Sequence, residues 1–272
     1  FFKQKTAYEI RNCDWSSDVC SSDLEKSMSC GGSDKNKVNC MECGIRKDSL
    51  FKDLDDEEIV LAESHIDLQR QCKPGEYVIS EQHQAKSSYI LASGCVILGT
   101  YLEDGSRQIF QLALPGDVIG FGVNKDNGYF AQAISDVKVC VMSNTSLDNL
   151  VKNHSAVAVR LIKNLAKSNS SYQQYLLNLG RKDARQALAY LIMDVTGRLK
   201  RQVPGCSLDH SKACFFPLNQ EAMADTLGIT KVHVSRVISQ FKKEGLIECS
   251  HKKLKVLNQE KLGEIGNYAA SI

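Results

Sequence analysis

Cysteine is the residue type whose spacing points most directly to chemistry in this chain. The chain holds 11 cysteines, of which Cys40 and Cys43 form a Cys-x2-Cys pair and Cys140 stands far along the chain in the apolar run VKVCVM. Thiolates bind soft metals or exchange electrons through disulfides. Taken alone, a Cys-x2-Cys pair fits zinc and redox chemistry equally well.

Composition and charge describe the setting of these thiols. An odd number of cysteines argues against a closed disulfide framework, and the chain has no run of 18 apolar residues and no secretory signal pattern at its start. We therefore expect a cytoplasmic protein that does not enter a membrane. Phe1 to Leu24, which include Cys13 and Cys20, resemble translated sequencing-adapter sequence or a poorly ordered tail, and Met28 is a candidate natural start.

The charge is divided unevenly along the chain. Residues 181–272 hold 15 Lys and Arg against 9 Asp and Glu, a charge of +6, so the preceding residues carry −4 of the net +2. This division favours a polyanionic partner for the C-terminal part alone.

The pattern of apolar residues changes once along the chain. Between Lys73 and Met142, short β-rich runs alternate with glycine turns, which predicts a small antiparallel roll. A helical period follows Thr145, with a 3,4 spacing that predicts a coiled-coil seam and a parallel dimer, the alternative being a helix packed on its own roll. The predicted seam consists of Ala158, Leu161, Leu165, Ser168, Tyr172, Tyr175 and Leu179.

The segment LNQEAMADTLGITKVHVSRVISQFKKEGLI predicts two short helices joined by a tight turn. Asn219 and Thr230 are suited to cap the helices, and Gly228 stands where the first must end. Such a pair can place its second helix in the DNA major groove, where Arg236 would offer two donors to guanine. The positions expected to contact DNA are Thr230, Lys231, Val232, Ser235, Arg236, Gln240, Lys242 and Lys243, with Lys252, Lys253 and Lys255 on a β-wing over residues 245–257.

In the order of its parts the chain resembles the CRP/FNR family of transcription regulators, on the stretches LPGDVIGFG, FAQAISDVKVCV and ITKVHVSRVISQFKKEGLI. The resemblance implies an α+β fold with a cyclic-nucleotide-binding-like β-roll, a long dimerisation helix and a C-terminal winged helix-turn-helix. It also implies a homodimer that binds palindromic promoter DNA and contacts RNA polymerase. The expected division is 1–24 artefact or tail, 25–50 cysteine-bearing segment, 51–150 roll, 151–182 dimerisation helix and 183–272 DNA-binding domain.

Two branches of this family differ in the ligand of the roll. Cyclic-nucleotide-binding members use an acid after a glycine and a later Arg-Ser pair, and here Gly116 and Asp117 remain while the later pair reads Asn127-Gly128. Without that arginine the cyclic phosphate loses its main counter-charge, so we do not expect cyclic AMP to bind.

The chain is more similar to the oxygen-responsive branch, which resembles the fumarate-nitrate reductase regulator. That resemblance implies a 4Fe-4S cluster on Cys40, Cys43 and Cys140, but Ser49 stands where the family has its third N-terminal cysteine. Cys30 is the candidate fourth ligand, and Cys72 and Cys95 are expected to be small buried hydrophobes. A second departure from the family is Val232, where relatives carry a glutamate. The family's DNA half-site is close to TTGAT, and this departure leaves the half-site of the present chain open.

Other sensors and functions remain open at this point. Haem, zinc or a thiol switch between Cys40 and Cys43 could replace the cluster in the same DNA-binding regulator. An enzyme is not expected, because the chain shows no P-loop, no recognisable carboxylate pair and no nucleophile motif.

Overall fold

The computed structural model describes residues 33–34, 39–81, 86–120, 128–203, 214–250 and 253–268. Phe1 to Leu24 and Cys30 lie outside the described residues, as do Asn127 and Lys252. The described elements follow the order expected from the sequence: a β-rich roll, a long helix and a C-terminal helix-turn-helix with a wing.

The roll consists of two antiparallel sheets, with strand orders β1-β2-β9-β4-β7 and β3-β8-β5-β6. Its core lies between the sheets because alternate residues of each strand point to opposite faces. The strands are β1 Ser33–Asp34, β2 Leu68–Cys72, β3 Tyr77–Ile79, β4 Ser87–Ser93, β5 Val96–Tyr101, β6 Arg107–Ala113, β7 Val118–Ile119, β8 Phe130–Ala133 and β9 Val137–Ser143.

Strand β9 shows how this alternation separates two cores. Val137, Val139 and Val141 are buried among the apolar residues between the two sheets. Cys140 and Met142 belong instead to a second apolar cluster outside the roll, formed with the N-terminal segment and the neighbouring helices. The period of two therefore directs the Cys140 thiol towards the part of the chain that carries Cys40 and Cys43.

Helices surround the roll and build the C-terminal unit. Helix α1 begins with a capping box between Asp55 and Glu58, and α4 with one between Asp183 and Gln186, which satisfy backbone N–H groups at each helix start. The helices are α1 Asp56–Ser64, α2 Asn144–Asn153, α3 Ser155–Arg181, α4 Ala184–Gln202, α5 Gln220–Leu227, α6 Lys231–Lys243 and α7 Gln259–Gly266.

A third sheet completes the C-terminal unit. Its strands β10 Cys214–Phe215, β11 Ile247–Ser250 and β12 Lys253–Val256 are antiparallel in the order β10-β12-β11. The β11 and β12 pair forms the wing expected from the sequence. Within the described ranges, no helix combines the length and apolar character needed to cross a membrane.

The residues of the predicted coiled-coil seam do not share one exposed face of the long helix α3. Tyr175 is buried and donates to Asp194 of α4 at 3.4 Å, and Tyr172 donates to Gln111 of β6, so both face the protein's own body. Leu165 and Leu179 are exposed, as are apolar residues that the seam omitted. The exposed large apolar residues of α3 are Val159, Ile162, Leu165, Leu176, Leu177 and Leu179. The predicted seam mixed two faces because Tyr172 packs on the roll and Tyr175 contacts α4, so both point into the protein's own body.

Candidate nucleic-acid interface and thiol site

The geometry of the helix-turn-helix is set by caps at both sides of its turn. The Asn219 side chain accepts from Ala222 N at 2.7 Å at the start of α5, and Thr230 Oγ1 accepts from His233 N at 3.3 Å at the start of α6. Gly228 ends α5 in the left-handed region, at φ 62°, where residues with a Cβ are strained. The two caps and the glycine stop expected from the sequence are confirmed.

Helix α6 divides into a buried and an exposed face. Val234, Val237, Ile238 and Phe241 are buried. On the opposite face Val232 is 69% exposed. Lys231, Arg236 and Gln240 are exposed, while Ser235 is half-buried and its carbonyl accepts from Ser239 Oγ at 2.9 Å. The side chains expected to read base edges therefore share one outward surface, the reading face, which we define as Lys231, Val232, Ser235, Arg236 and Gln240.

Basic residues continue beyond the reading face. Lys243 and Lys253 are exposed, and Lys242 and Lys255 are half-buried. Side chains of this kind contact phosphates and position a protein on DNA without selecting sequence.

Two residues that the sequence reasoning missed fix the far end of α6. Arg185 of α4 donates to both carboxylate oxygens of Glu244, at 2.9 and 2.7 Å. Its guanidinium also lies 5.0 Å from the centre of the Phe241 ring. These contacts hold the C-terminal end of the reading helix against α4. The only sequence signal was the opposite charge of Arg185 and Glu244, which stand too far apart along the chain to be paired without a fold.

The three thiols singled out from the sequence come together beside the roll. Cys40 and Cys140 are buried and Cys43 is half-buried, all with free thiols. Burial, followed by the neighbouring Cys140, raises the pKa of Cys40 to about 12. Burial also raises the pKa of Cys140, and nearby Cys43 raises it further. Cys40 and Cys140 share one apolar cluster and Cys43 packs against it, although Cys140 lies on a segment distant in sequence from the other two.

Polar neighbours surround these thiols. Glu63 of α1 accepts from the backbone N–H of Cys40 at 2.7 Å, and Gln69 Nε2 donates to the sulfur of Cys140 at 3.8 Å. The Glu63 carboxylate disfavours the thiolate form of Cys40 in this arrangement, since its charge and hydrogen bond both raise the pKa of that thiol. Across the described segments, no three His, Cys, Asp or Glu side chains are placed to hold a single metal ion.

Ser49 does not replace the missing cysteine. It is buried, and its hydroxyl donates to the carbonyl of Arg46 at 3.0 Å and accepts from the N–H of Phe51 at 3.2 Å. Both bonds are used to shape the turn that follows the thiol pair. Cys72 and Cys95 are both buried in apolar clusters, as expected, but Cys72 is in addition disulfide-bonded.

Asp117, which the sequence resemblance matched to an acid of the nucleotide-binding pattern, accepts hydrogen bonds from other residues of this chain. It accepts from Leu114 N at 2.9 Å, from Arg198 at 3.0 Å and from Gln202 at 3.1 Å. Arg198 and Gln202 belong to α4, and Lys167 Nζ of α3 lies 3.7 Å away. The adjoining cavity measures about 20 Å³, which is room for about one water molecule.

Two family descriptions match this chain. A cyclic nucleotide-binding domain matches residues 69–154, and a Crp-like helix-turn-helix domain matches residues 174–265. The first contains the roll and the second contains the capped helix pair with its reading face. The chain belongs to the CRP/FNR family.

Relatives of this CRP/FNR regulator match it over most of their length. The nitrogen fixation regulation protein FixK of Bradyrhizobium diazoefficiens is 27% identical over 80% of this chain and 90% of its own. The transcriptional activator protein FnrL of Cereibacter sphaeroides is 28% identical over 79% of this chain and 86% of its own length. The structure of FixK2 from Bradyrhizobium japonicum superposes with a TM-score of 0.65, at 27% identity, over 74% of this chain and 98% of that one. The family and its relatives make this chain a DNA-binding transcription regulator.

Proposed function

We propose that this regulator binds two-fold symmetric promoter sites as a homodimer, with one reading face in each half-site. The observation that carries the proposal is the reading face itself, since Arg236 and Gln240 are exposed on a helix whose opposite face is buried. A dimer of such helices contacts two half-sites about one helical turn apart. The family leads us to propose contact with RNA polymerase as well, without assigning its surface.

The exposed apolar face of α3 supports the dimer. Ile162 and Leu176 are 64% and 69% exposed, and the intervening positions on the same face are Ala166, Asn169 and Gln173. A helix of 27 residues with such a face is suited to pair with a second copy of itself. An asparagine in a seam of this kind favours a single register.

We further propose that the thiols Cys40, Cys43 and Cys140 hold an iron-sulfur cluster that makes DNA binding responsive to oxygen. The support is their convergence from two distant segments. A 4Fe-4S cluster is larger than one metal ion, so its ligands need not meet the spacing that a single ion requires. Such a cluster supplies a reactive centre that oxygen dismantles, and the residues of this chain would hold it next to α1 and α3.

The proposed cluster needs a fourth ligand besides these three thiols, and that ligand is a separate proposal. Ser49 is committed to backbone hydrogen bonds, and Cys95 lies in a different apolar cluster from the three thiols. We propose Cys30, which lies outside the described residues, as the remaining ligand.

The second candidate is a thiol switch or a zinc site built on the Cys-x2-Cys pair. Cys40 and Cys43 sit on one turn, in which Cys43 N donates to the carbonyl of Cys40 at 3.4 Å. This closeness favours a disulfide between them under oxidation. A haem sensor is the remaining alternative and has no residue-level support among the described contacts.

Anaerobic purification with assays for iron, zinc and acid-labile sulfide, together with a visible spectrum, separates these candidates. We expect about four irons and four sulfides per chain, lost in Cys43→Ala and Cys30→Ala and bleached by air. Cys95→Ala is the matched control and should keep the full iron content. A colourless protein without iron that still binds DNA would overturn the cluster and leave the DNA-binding function in place.

Ser49→Cys tests the departure from the family pattern. We expect it to lower stability without raising the iron content, because the thiol cannot replace the two hydrogen bonds of the Ser49 hydroxyl. A rise in iron content in this variant would show that the turn can present a ligand.

A further inference from the structure

A buried ion pair joins the roll to the DNA-binding unit. Asp117 precedes β7 in the roll, whereas Arg198 lies on α4, and the two side chains meet at 3.0 Å. Arg198 is only 6% exposed and also donates to the carbonyl of Leu112 at 2.7 Å. Both of these hydrogen-bond acceptors belong to the roll, so the guanidinium crosses from one unit into the other.

Gln202 reinforces the same connection one helical turn later on α4. Its amide donates to the second carboxylate oxygen of Asp117 at 3.1 Å and reaches the carbonyl of Pro115 at 3.5 Å. Both carboxylate oxygens of Asp117 therefore accept hydrogen bonds. One oxygen accepts from Arg198 and from the N–H of Leu114, and the other accepts from Gln202. Separating the units would break the contacts of Arg198 and Gln202 with Asp117, and Asp194 of α4 would remain as the charged neighbour of Arg198.

A second ion pair crosses the same interface closer to the DNA-reading element. Arg107 of β6 pairs with Asp225 of α5 at 2.7 Å. Its neighbour Gln108 donates to the carbonyl of Thr226 at 3.3 Å. Helix α5 is joined to α6 through the capped turn at Gly228, so these contacts fix the direction of the reading helix relative to the roll.

We propose that Arg198 is a built-in counter-ion for Asp117 and that, with Arg107 and Asp225, it holds the DNA-binding unit in the orientation that reads the operator. Asp117 in the roll thereby contacts two residues of α4 directly. In this orientation the reading face is exposed. The inference rests on the proposed dimeric operator binding, because a fixed orientation in each protomer lowers the entropic cost of placing two helices at one spacing.

A double-mutant cycle in operator affinity tests this proposal on the full chain. We expect Asp117→Asn and Arg198→Gln each to weaken binding to a selected two-fold site by about tenfold, and the double variant to bind no more weakly than the worse single variant. Asp56→Asn is the matched control, because Asp56 pairs with Arg46 at 3.2 Å within the N-terminal part of the chain. That variant should bind as the parent does.

The pair Arg107→Gln and Asp225→Asn repeats the cycle at the second contact, where the side chains are less deeply buried and folding is less at risk. Circular dichroism and urea unfolding check that each variant is folded. The proposal is overturned if folded variants bind the operator as tightly as the unsubstituted protein. It is also overturned if the loss of affinity in the double variant equals the product of the two single losses. A parent protein that does not bind a two-fold site would instead overturn the proposed function.

Discussion

At the scale of single residues, the reading face combines a donor for guanine with an apolar side chain. Arg236 is exposed and can form two hydrogen bonds to guanine O6 and N7, while Val232 can contact only a methyl group such as that of thymine. Arg236 should therefore supply hydrogen-bonded selectivity at one base pair, and Val232 should supply a preference for thymine at a neighbouring one.

Arg236→Ala should weaken binding to the specific site by about 1 to 3 kcal/mol and relax the guanine preference at one position. The dimer should be unaffected, because Arg236 is exposed on α6 and lies outside the α3 face. Affinities for a selected site and for its single-base variants provide the measurement. Lys138→Ala, at an exposed position of the roll, is the matched control. Unchanged base preference in Arg236→Ala would remove this residue from the reading face.

At the scale of elements, the turn between α5 and α6 depends on a backbone conformation. Gly228 has φ 62°, and an added Cβ would meet Leu179 Cδ2 at 3.5 Å, which is ordinary contact. The cost of Gly228→Ala should thus come from the left-handed conformation alone, about 1 to 2 kcal/mol. Gly180→Ala should have the opposite effect, because Gly180 lies within α3 with open space around it. This variant should raise the free energy of unfolding of the protein by about 0.5 to 1 kcal/mol. Urea unfolding measures the free energy of unfolding of both variants, and a change of the same sign in both would contradict this expectation.

The exposed face of α3 carries the prediction for assembly. Ile162→Glu and Leu176→Glu should each shift the dimer towards monomer, because the two charges would face each other across the proposed two-fold axis without a counter-ion. Gln174→Glu, at an exposed position of the same helix, should leave the dimer intact. Sedimentation velocity across a concentration series distinguishes the two outcomes. A dimer that persists in both apolar-face variants would place the interface elsewhere.

At the scale of the whole molecule, sequence patterns predicted the structure that depends on neighbouring residues. They did not predict which faces pack together, because tertiary contacts determine that. The caps at Asn219 and Thr230 and the stop at Gly228 could be inferred from sequence because they depend only on near neighbours. The face of α3 could not, since Tyr172 and Tyr175 satisfy helical spacing whether they pack on the roll or on a partner. The pairing of Asp117 with Arg198 was also beyond reach, because nothing local links residues so far apart. Its sequence signal was an arginine within the apolar helix that precedes the helix-turn-helix.

The uneven charge along the chain leads to a prediction about salt. Each phosphate contact releases counterions, so the logarithm of the affinity falls linearly with the logarithm of the salt concentration. Lys243→Ala and Lys253→Ala, at exposed positions of the basic C-terminal part, should each reduce that slope by about 1 and weaken binding to all sequences alike. Lys138→Ala in the roll should leave the slope unchanged, because the acidic part that precedes residue 181 is not expected to approach the phosphates. An equal loss of slope from the roll variant would mean that the whole surface attracts DNA, and that the +6 charge of residues 181–272 does not direct the approach.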